Sequence, residues 1–121
     1  MAQYLCAGSD LQESGKAVCF RVMTARGPEP AFAIRWRGQV YAYQNSCAHV
    51  PVMMDWQTGD FFDLSRQYLI CSMHGAWYAP DTGACLGGPC RGAYLQAVPL
   101  TEQADGVYCG WPIEADSIQL P

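Results

Sequence analysis

Two short segments of this chain each place one cysteine and one histidine within four residues of each other. They are Cys47-Ala48-His49 and Cys71-Ser72-Met73-His74. Each segment can supply half of a four-ligand metal site, so the fold has to bring the two together. A zinc finger usually groups Cys with Cys and His with His. The mixed order does not match that grouping and suits a centre with two unlike metal ions.

The rest of the chain has the pattern of an antiparallel β-sheet, because short runs of strand-forming residues alternate with turn signals. No stretch shows convincing helical periodicity. The predicted strands cover residues 3–7, 17–23, 31–36, 40–43, 68–70, 77–79, 84–86, 94–100 and 107–111. The sequence thus predicts an all-β protein.

The turns are predicted with more detail at some places than at others. Arg37-Gly38 lies between two strand-like runs and indicates a tight hairpin, whereas the glycine and prolines of residues 27–30 indicate a loop that cannot be part of a central strand. Residues 52–62 fit either a loop with a short strand pair or a single helical turn. After Pro112 the sequence has little pattern.

Composition limits the class of protein. Half of the 121 residues are hydrophobic and 15% are charged, which is typical of a globular domain, and no apolar run approaches the ~18 residues of a membrane-spanning helix. The net charge of -4 disfavours a nucleic-acid partner. The N-terminal residues lack the basic and apolar parts of a signal peptide, so a cytoplasmic location is expected.

The two ligand segments, together with the glycines C-terminal to them, resemble the Rieske iron-sulfur family, and the resemblance extends across nearly the whole chain. It rests on Cys47-x-His49, Cys71-x-x-His74, the adjoining Gly75 and the later Gly87-Gly88-Pro89. It implies a Rieske-type domain over residues 1–121, built of antiparallel sheets in a sandwich or partly open barrel. A cluster-binding subdomain is expected as an insertion from about residue 45 to about residue 92.

The same resemblance implies a Rieske-type 2Fe-2S cluster. Cys47 and Cys71 would hold the inner iron, and His49 and His74 would hold the outer iron near the surface. Two alternatives stay open. The four residues could hold zinc, or they could be two thiols and two histidines with ordinary places in the core.

Five further residues are expected around the cluster. Gly75 would let the backbone approach the cluster or take a positive φ, although a plain turn glycine is the alternative. By the resemblance, Ala76 and Tyr78 stand where high-potential Rieske proteins have Ser and Tyr hydroxyls that donate to cluster and cysteine sulfurs. Because the hydroxyl at Ala76 is missing, a lower potential is expected. Tyr78 as ordinary strand core is the alternative, and Gly88 and Pro89 would line the cluster.

The other cysteines are expected to have no ligand role. Cys6, Cys19 and Cys109 lie in short apolar runs and are predicted to be buried, inert thiols. High-potential Rieske subunits also carry a disulfide between their ligand segments, but this chain has Val52 and Met73 at those places. Cys85 and Cys90 either approach each other or shield the cluster as small apolar residues, and a reducing compartment favours shielding.

The connection between His49 and Cys71 is somewhat longer than in small Rieske ferredoxins. The extra residues fall at about 60–67, where the sequence suggests a surface loop insertion. Lengthening a surface loop costs little closure entropy. The longer connection is therefore compatible with the ligand assignment.

The sequence predicts electron transfer without catalysis. Both histidines of the chain are assigned to the cluster, so none remains for a mononuclear iron site, and no nucleotide-binding motif is present. The expected function is that of a Rieske-type ferredoxin between a flavoprotein reductase and a terminal oxygenase or similar acceptor. The alternatives are a Rieske small subunit of a larger redox enzyme, such as an assimilatory nitrite reductase, and a redox or iron sensor.

Overall fold

The structure, a computed structural model, describes residues 2–46, 53–55, 59–71, 75–88 and 92–121. The regular elements in these ranges are almost all strands, which confirms the all-β prediction. The strands are β1 (Gln3–Cys6), β2 (Val18–Thr24), β3 (Gly27–Trp36), β4 (Gln39–Gln44), β5 (Leu69–Ile70), β6 (Trp77–Tyr78), β7 (Cys85–Gly87), β8 (Ala97–Val98), β9 (Leu100–Gln103), β10 (Gly106–Cys109) and β11 (Ile113–Gln119). A 3-10 helix spans Gly8–Asp10, and no helix in the described ranges has the length and apolar character to cross a membrane.

The strands form three antiparallel sheets. The central sheet has the order β11-β2-β3-β4-β8, the terminal sheet has the order β1-β10-β9, and the small sheet has the order β5-β6-β7. The two-residue turn Arg37-Gly38 joins β3 to β4, and both of its residues have positive φ, at 50° and 78°. This is the backbone of a type I′ hairpin, as the sequence predicts.

Strand β3 separates two hydrophobic cores because its side chains alternate between the two faces of the central sheet. Ala31 and Ala33 belong to the core shared with the terminal sheet. Phe32, Ile34 and Trp36 belong to the core shared with the small sheet. The large side chains of β3 therefore form the platform on which the small sheet rests.

Residues 27–30 are strand, so the loop prediction for this stretch is wrong. Pro28 and Pro30 pair with β2, but β4 pairs with β3 only from Ala31 onward. The prolines therefore occupy the half of β3 that has a ladder partner on one side, where a missing N–H leaves no gap in the sheet. The prolines exclude a central position, and this part of β3 is not central.

Two other strand predictions are corrected at the C-terminal end. The expected strand 94–100 is divided at Pro99 into β8 and β9, which belong to different sheets. The patternless tail is β11, an edge strand paired with β2. Its register shifts between Glu114 and Gln119, and its residues are half-buried or exposed, so it lacks the alternation by which a strand is recognised.

The connection that precedes β5 is also more ordered than a surface loop. Phe61 is fully buried and stacks on Phe32, with ring centroids 3.7 Å apart. The Ile70 N–H donates to the Phe61 carbonyl at 2.8 Å, and the Asp63 N–H donates to the Tyr68 carbonyl at 2.9 Å. The predicted insertion at residues 60–67 is thus an arm that lies along β5, with its exposed turn at 64–67.

Candidate iron-sulfur site

Cys71 directly follows β5 and has no exposed surface. Its N–H donates to the Ala76 carbonyl at 2.8 Å, and its own carbonyl accepts from the Gly75 N–H at 2.9 Å. These two bonds close the second ligand segment at its base. His74, predicted as the other ligand of this segment, lies outside the described residues. Of the four predicted ligands, Cys71 is the one that the structure describes.

The two small residues after the second segment are placed by backbone geometry. Gly75 has a φ of +71°, in the left-handed region that favours glycine. Ala76 is fully buried, and Gly88, with a φ of +90°, comes so close that a Cβ added to it would lie 2.9 Å from the Ala76 Cα. The loop after β7 therefore packs directly on the backbone of the second ligand loop. Pro89 lies outside the described residues.

Tyr78 is fully buried on the inner face of the small sheet, opposite Leu69. It packs in the core that also holds Phe32, Phe61 and Cys71. This position gives Tyr78 a role in core packing, and its expected role as a donor to a cysteine sulfur stays a prediction.

The first ligand segment, with Cys47 and His49, lies outside the described residues, but both of its flanks are described. Asn45, at the end of β4, is buried. Its side-chain carbonyl accepts from the Met54 N–H at 2.7 Å, and its side-chain amide donates to Asp55 Oδ1 at 2.8 Å. Asn45 therefore joins the two ends of the segment that contains Cys47 and His49.

Asp55 extends this network to the central sheet. Its second oxygen, Oδ2, accepts from the Gly59 N–H at 3.1 Å, and the Gly59 carbonyl accepts from the Ala17 N–H at 3.0 Å. The Asn45 N–H in turn donates to the Pro30 carbonyl at 2.8 Å. Asn45 and Asp55 were not predicted as site residues. The available signal was an asparagine two residues before Cys47 and two residues after a predicted strand.

One core lies beneath both ligand segments. Met54, on the flank of the first segment, belongs to the same buried cluster as Cys71 and Ala76 of the second. A residue that flanks the first segment and the base of the second segment therefore share one core. In the described part of the chain, no three His, Cys, Asp or Glu side chains converge as a competing metal site.

The remaining described thiols are poor candidates for ligands. Burial, with a smaller effect of the Asp10 charge, raises the pKa of Cys6 to about 11. Burial and then the Asp55 charge raise the pKa of Cys19 to about 11, and burial raises the pKa of Cys109. Because the thiolate is the form that binds metal, these three residues suit an inert role.

Cys85 is buried and takes part in a disulfide. The sequence favours a reduced thiol with a shielding role here, and for Cys85 this prediction is wrong. The prediction relied on the expected redox compartment, which does not determine the local geometry at the start of β7. Cys90 lies outside the described residues.

The donor set fits a Rieske cluster in its chemistry. Two cysteines and two histidines are the ligands of such a cluster, with the cysteines on one iron and the histidines on the other. The buried position of Cys71 suits a ligand of the inner iron. The close approach of Gly88 to Ala76 packs a third loop against the second ligand loop on the same core.

Comparison with known proteins agrees with this chemistry. The family description of the Rieske 2Fe-2S domain matches residues 1–102. No curated protein matches the sequence.

Several solved structures share the fold. The ferredoxin of carbazole 1,9a-dioxygenase from Nocardioides aromaticivorans IC177 is 18% identical, with a TM-score of 0.68 over 90% of this chain and 96% of that chain. A chain in the complex of reduced oxygenase and oxidized ferredoxin in carbazole 1,9a-dioxygenase is 26% identical, with a TM-score of 0.66 over 89% of this chain and 100% of that chain.

A larger protein contains a similar domain. The terminal oxygenase of carbazole 1,9a-dioxygenase from Novosphingobium sp. KA1 is 18% identical, with a TM-score of 0.72 over 93% of this chain. The present chain spans 30% of the length of that oxygenase chain.

Proposed function

Because this chain belongs to the Rieske 2Fe-2S family and its domain binds a Rieske-type cluster, we propose that it is a ferredoxin. It accepts one electron from a flavin-dependent reductase and passes it to a terminal oxygenase or a similar acceptor. The cluster supplies one-electron chemistry at a potential of about -150 to +300 mV. No catalytic step is assigned to the chain itself.

The proposed ligands are Cys47 and Cys71 on the inner iron and His49 and His74 on the outer iron. The two described loop bases support this assignment, because they rest on one core. In addition, the sequence contains two histidines, and both are used in this way. No histidine of this chain is left for a mononuclear iron site of the kind that has two His and one carboxylate.

The observation that carries the proposal is the match to a chain of an oxygenase–ferredoxin complex, which is 26% identical and is covered over 100% of its length. Together with the Rieske domain that matches residues 1–102, this likeness supports the role of an electron carrier.

The ligand assignment is tested by two matched cysteine variants. Cys71 and Cys109 both have no exposed surface, so truncating either side chain to Ala removes a similar buried volume. Cys71→Ala should abolish the electron paramagnetic resonance (EPR) signal of the reduced cluster, whereas Cys109→Ala should keep it. His74→Ala should also lose the cluster. A Cys71→Ala protein with a full Rieske signal would overturn the assignment, and zinc in place of iron in the wild type would overturn the proposed cofactor.

The role as a carrier is tested on the purified, cluster-loaded protein. A flavin-dependent reductase with its nicotinamide cofactor should reduce one cluster per chain, and the reduced protein should then transfer its electron to a carbazole-type terminal oxygenase. Purification of the native protein in a stoichiometric complex with a large catalytic subunit, which gel filtration would detect, would instead support the fixed-subunit role.

A further inference from the structure

We propose that the side chains of Asn45 and Asp55 form a clamp that sets the shape of the first ligand loop and thereby the properties of the cluster. This inference rests on the proposed ligand roles of Cys47 and His49. The clamp is the pair Asn45 and Asp55. It adds two residues that position the first ligand loop to the four residues that bind the cluster.

The clamp is built from hydrogen bonds that cross the ligand loop. Asn45 lies two residues before Cys47, and its side chain reaches the Met54 N–H at 2.7 Å and Asp55 Oδ1 at 2.8 Å. Met54 itself is fully buried. Positions 45 and 54, which flank the first ligand segment, are therefore held against each other.

The side-chain oxygens and the amide of the clamp have matching hydrogen-bond partners. The Met54 N–H needs an acceptor, and the Asp55 carboxylate needs a donor, so Asn45 with one of each matches both. Asp55 in turn accepts from Asn45 through Oδ1 and from the Gly59 N–H through Oδ2. The clamp thus requires one amide and one carboxylate side chain at positions 45 and 55.

The clamp is tied to the rigid part of the protein on both sides. The Asn45 N–H donates to the Pro30 carbonyl of β3. The N–H of Ala17, the residue just before β2, donates to the Gly59 carbonyl. A shift of the clamp would have to break contacts with the central sheet. Hydrogen-bond partners that orient metal ligands typically change metal affinity about 10–100-fold when they are mutated, and the clamp would act on Cys47 and His49 through the loop whose ends it holds.

Exchanging the two residues provides a strict test. Asn45→Asp alone sets two carboxylates against each other, and Asp55→Asn alone leaves either the Gly59 N–H or the Asn45 amide without its acceptor. The double variant Asn45→Asp/Asp55→Asn restores all three bonds. Asp at position 45 accepts from the Met54 N–H and from the amide at position 55, whose carbonyl accepts from the Gly59 N–H.

Each single variant should release iron to a chelator faster than the wild type, with an apparent iron affinity about 10–100-fold lower. Each should also shift the reduction potential and the EPR g-values of the clusters that remain loaded. The double variant should return all three quantities close to their wild-type values.

Tyr43→Phe is the control for a loss of stability alone. It removes a buried bond from the Tyr43 hydroxyl to the Pro80 carbonyl, 2.8 Å in length and outside the clamp. It should lower thermal stability while the potential and g-values stay unchanged. If a single clamp variant does not fold, Asn45→Ser, which keeps an oxygen and loses the amide donor, takes its place.

The possible failures are distinguishable. A wild-type protein without a Rieske EPR signal would refute the proposed function. A wild-type protein with that signal, together with single variants of unchanged potential and iron release, would refute the clamp alone. A double variant that stays as impaired as the single variants would also refute it, since its hydrogen bonds are complete.

Discussion

Replacing Gly88 with Ala tests the close packing between the loop after β7 and the second ligand loop. Gly88 has a φ of +90°, and its new Cβ would lie 2.9 Å from the Ala76 Cα and 3.3 Å from the Ala76 backbone nitrogen. The left-handed conformation costs a residue with a Cβ about 1–2 kcal/mol. Forcing a methyl group against buried backbone adds about 1–3 kcal/mol. Gly88→Ala should therefore lower the free energy of unfolding by about 2–5 kcal/mol.

Gly92→Ala is the matched control, because it separates the two costs. Gly92 has a φ of +95°, but no atom of the described residues lies within 4 Å of an added Cβ. Its substitution should cost only the conformational part, about 1–2 kcal/mol. The excess cost of Gly88→Ala over Gly92→Ala, about 1–3 kcal/mol, would then measure the contact with Ala76.

Urea unfolding of both variants and of the wild type measures this difference. The midpoints should fall in the order wild type, Gly92→Ala, Gly88→Ala, with a common dependence on urea, since the surface exposed on unfolding is the same. Equal midpoints for the two variants would show that Gly88 does not press on Ala76, and the packing of the third loop on the ligand loop would have to be abandoned.

Three other measurements test contacts away from the second ligand loop. Arg35 donates to Glu102 through two nitrogens and lowers the pKa of that carboxyl. The ion pair therefore stabilises the fold above the unfolded pKa of Glu102, and this stabilisation is lost as the pH falls through the folded pKa. Glu102→Gln should destabilise the protein at neutral pH, and the urea midpoints of variant and wild type should converge in acid. Burial raises the pKa of Cys6 to about 11, so the stability of the wild type should fall as the pH rises from about 9 toward 11. Cys6→Ala should weaken this fall in thermal melts at alkaline pH. An unchanged dependence of stability on pH would contradict the burial of Cys6. Tyr43→Phe leaves the Pro80 carbonyl without its donor and should cost about 1–3 kcal/mol by urea unfolding, while a cost near zero would place water at that carbonyl.

The strands that the sequence predicts well are those with a strong local signal. The hairpin at Arg37-Gly38 needs positive φ at two neighbouring positions, and the sequence shows the preferred residue at the second. Strand β11 has no comparable signal, because an edge strand with an irregular register exposes most of its side chains. The prolines of β3 correctly indicate that this part of the chain does not have a hydrogen-bonded strand on both sides. They do not indicate a loop, because a strand with a partner on one side accommodates them.

The candidate site was predicted through its chemistry, and its supports were not. Cysteine and histidine at these spacings indicate the ligand segments because two thiolates and two imidazoles are the ligands of a Rieske cluster. Asn45 and Asp55 carry no such signal, since Asn and Asp are common in any loop. Their importance depends on which backbone groups they meet, Met54 N–H and Gly59 N–H, and on burial, which only the folded chain defines.

The anchors between the ligand segments change what the long connection costs. The clamp closes the loop between Asn45 and Met54, Asp55 reaches the Gly59 N–H, and the bond from the Asp63 N–H to the Tyr68 carbonyl closes the turn at 64–67. These bonds divide the long connection into several short loops whose ends are fixed to the folded core. Because closure entropy rises with the logarithm of loop length, the short loops limit the position of Cys71 more than one long loop would. Phe61, buried against Phe32, lies between the turn at 64–67 and the earlier loops. Changes in length at 64–67 should therefore be tolerated, whereas changes near Phe61 would move the strand that delivers Cys71.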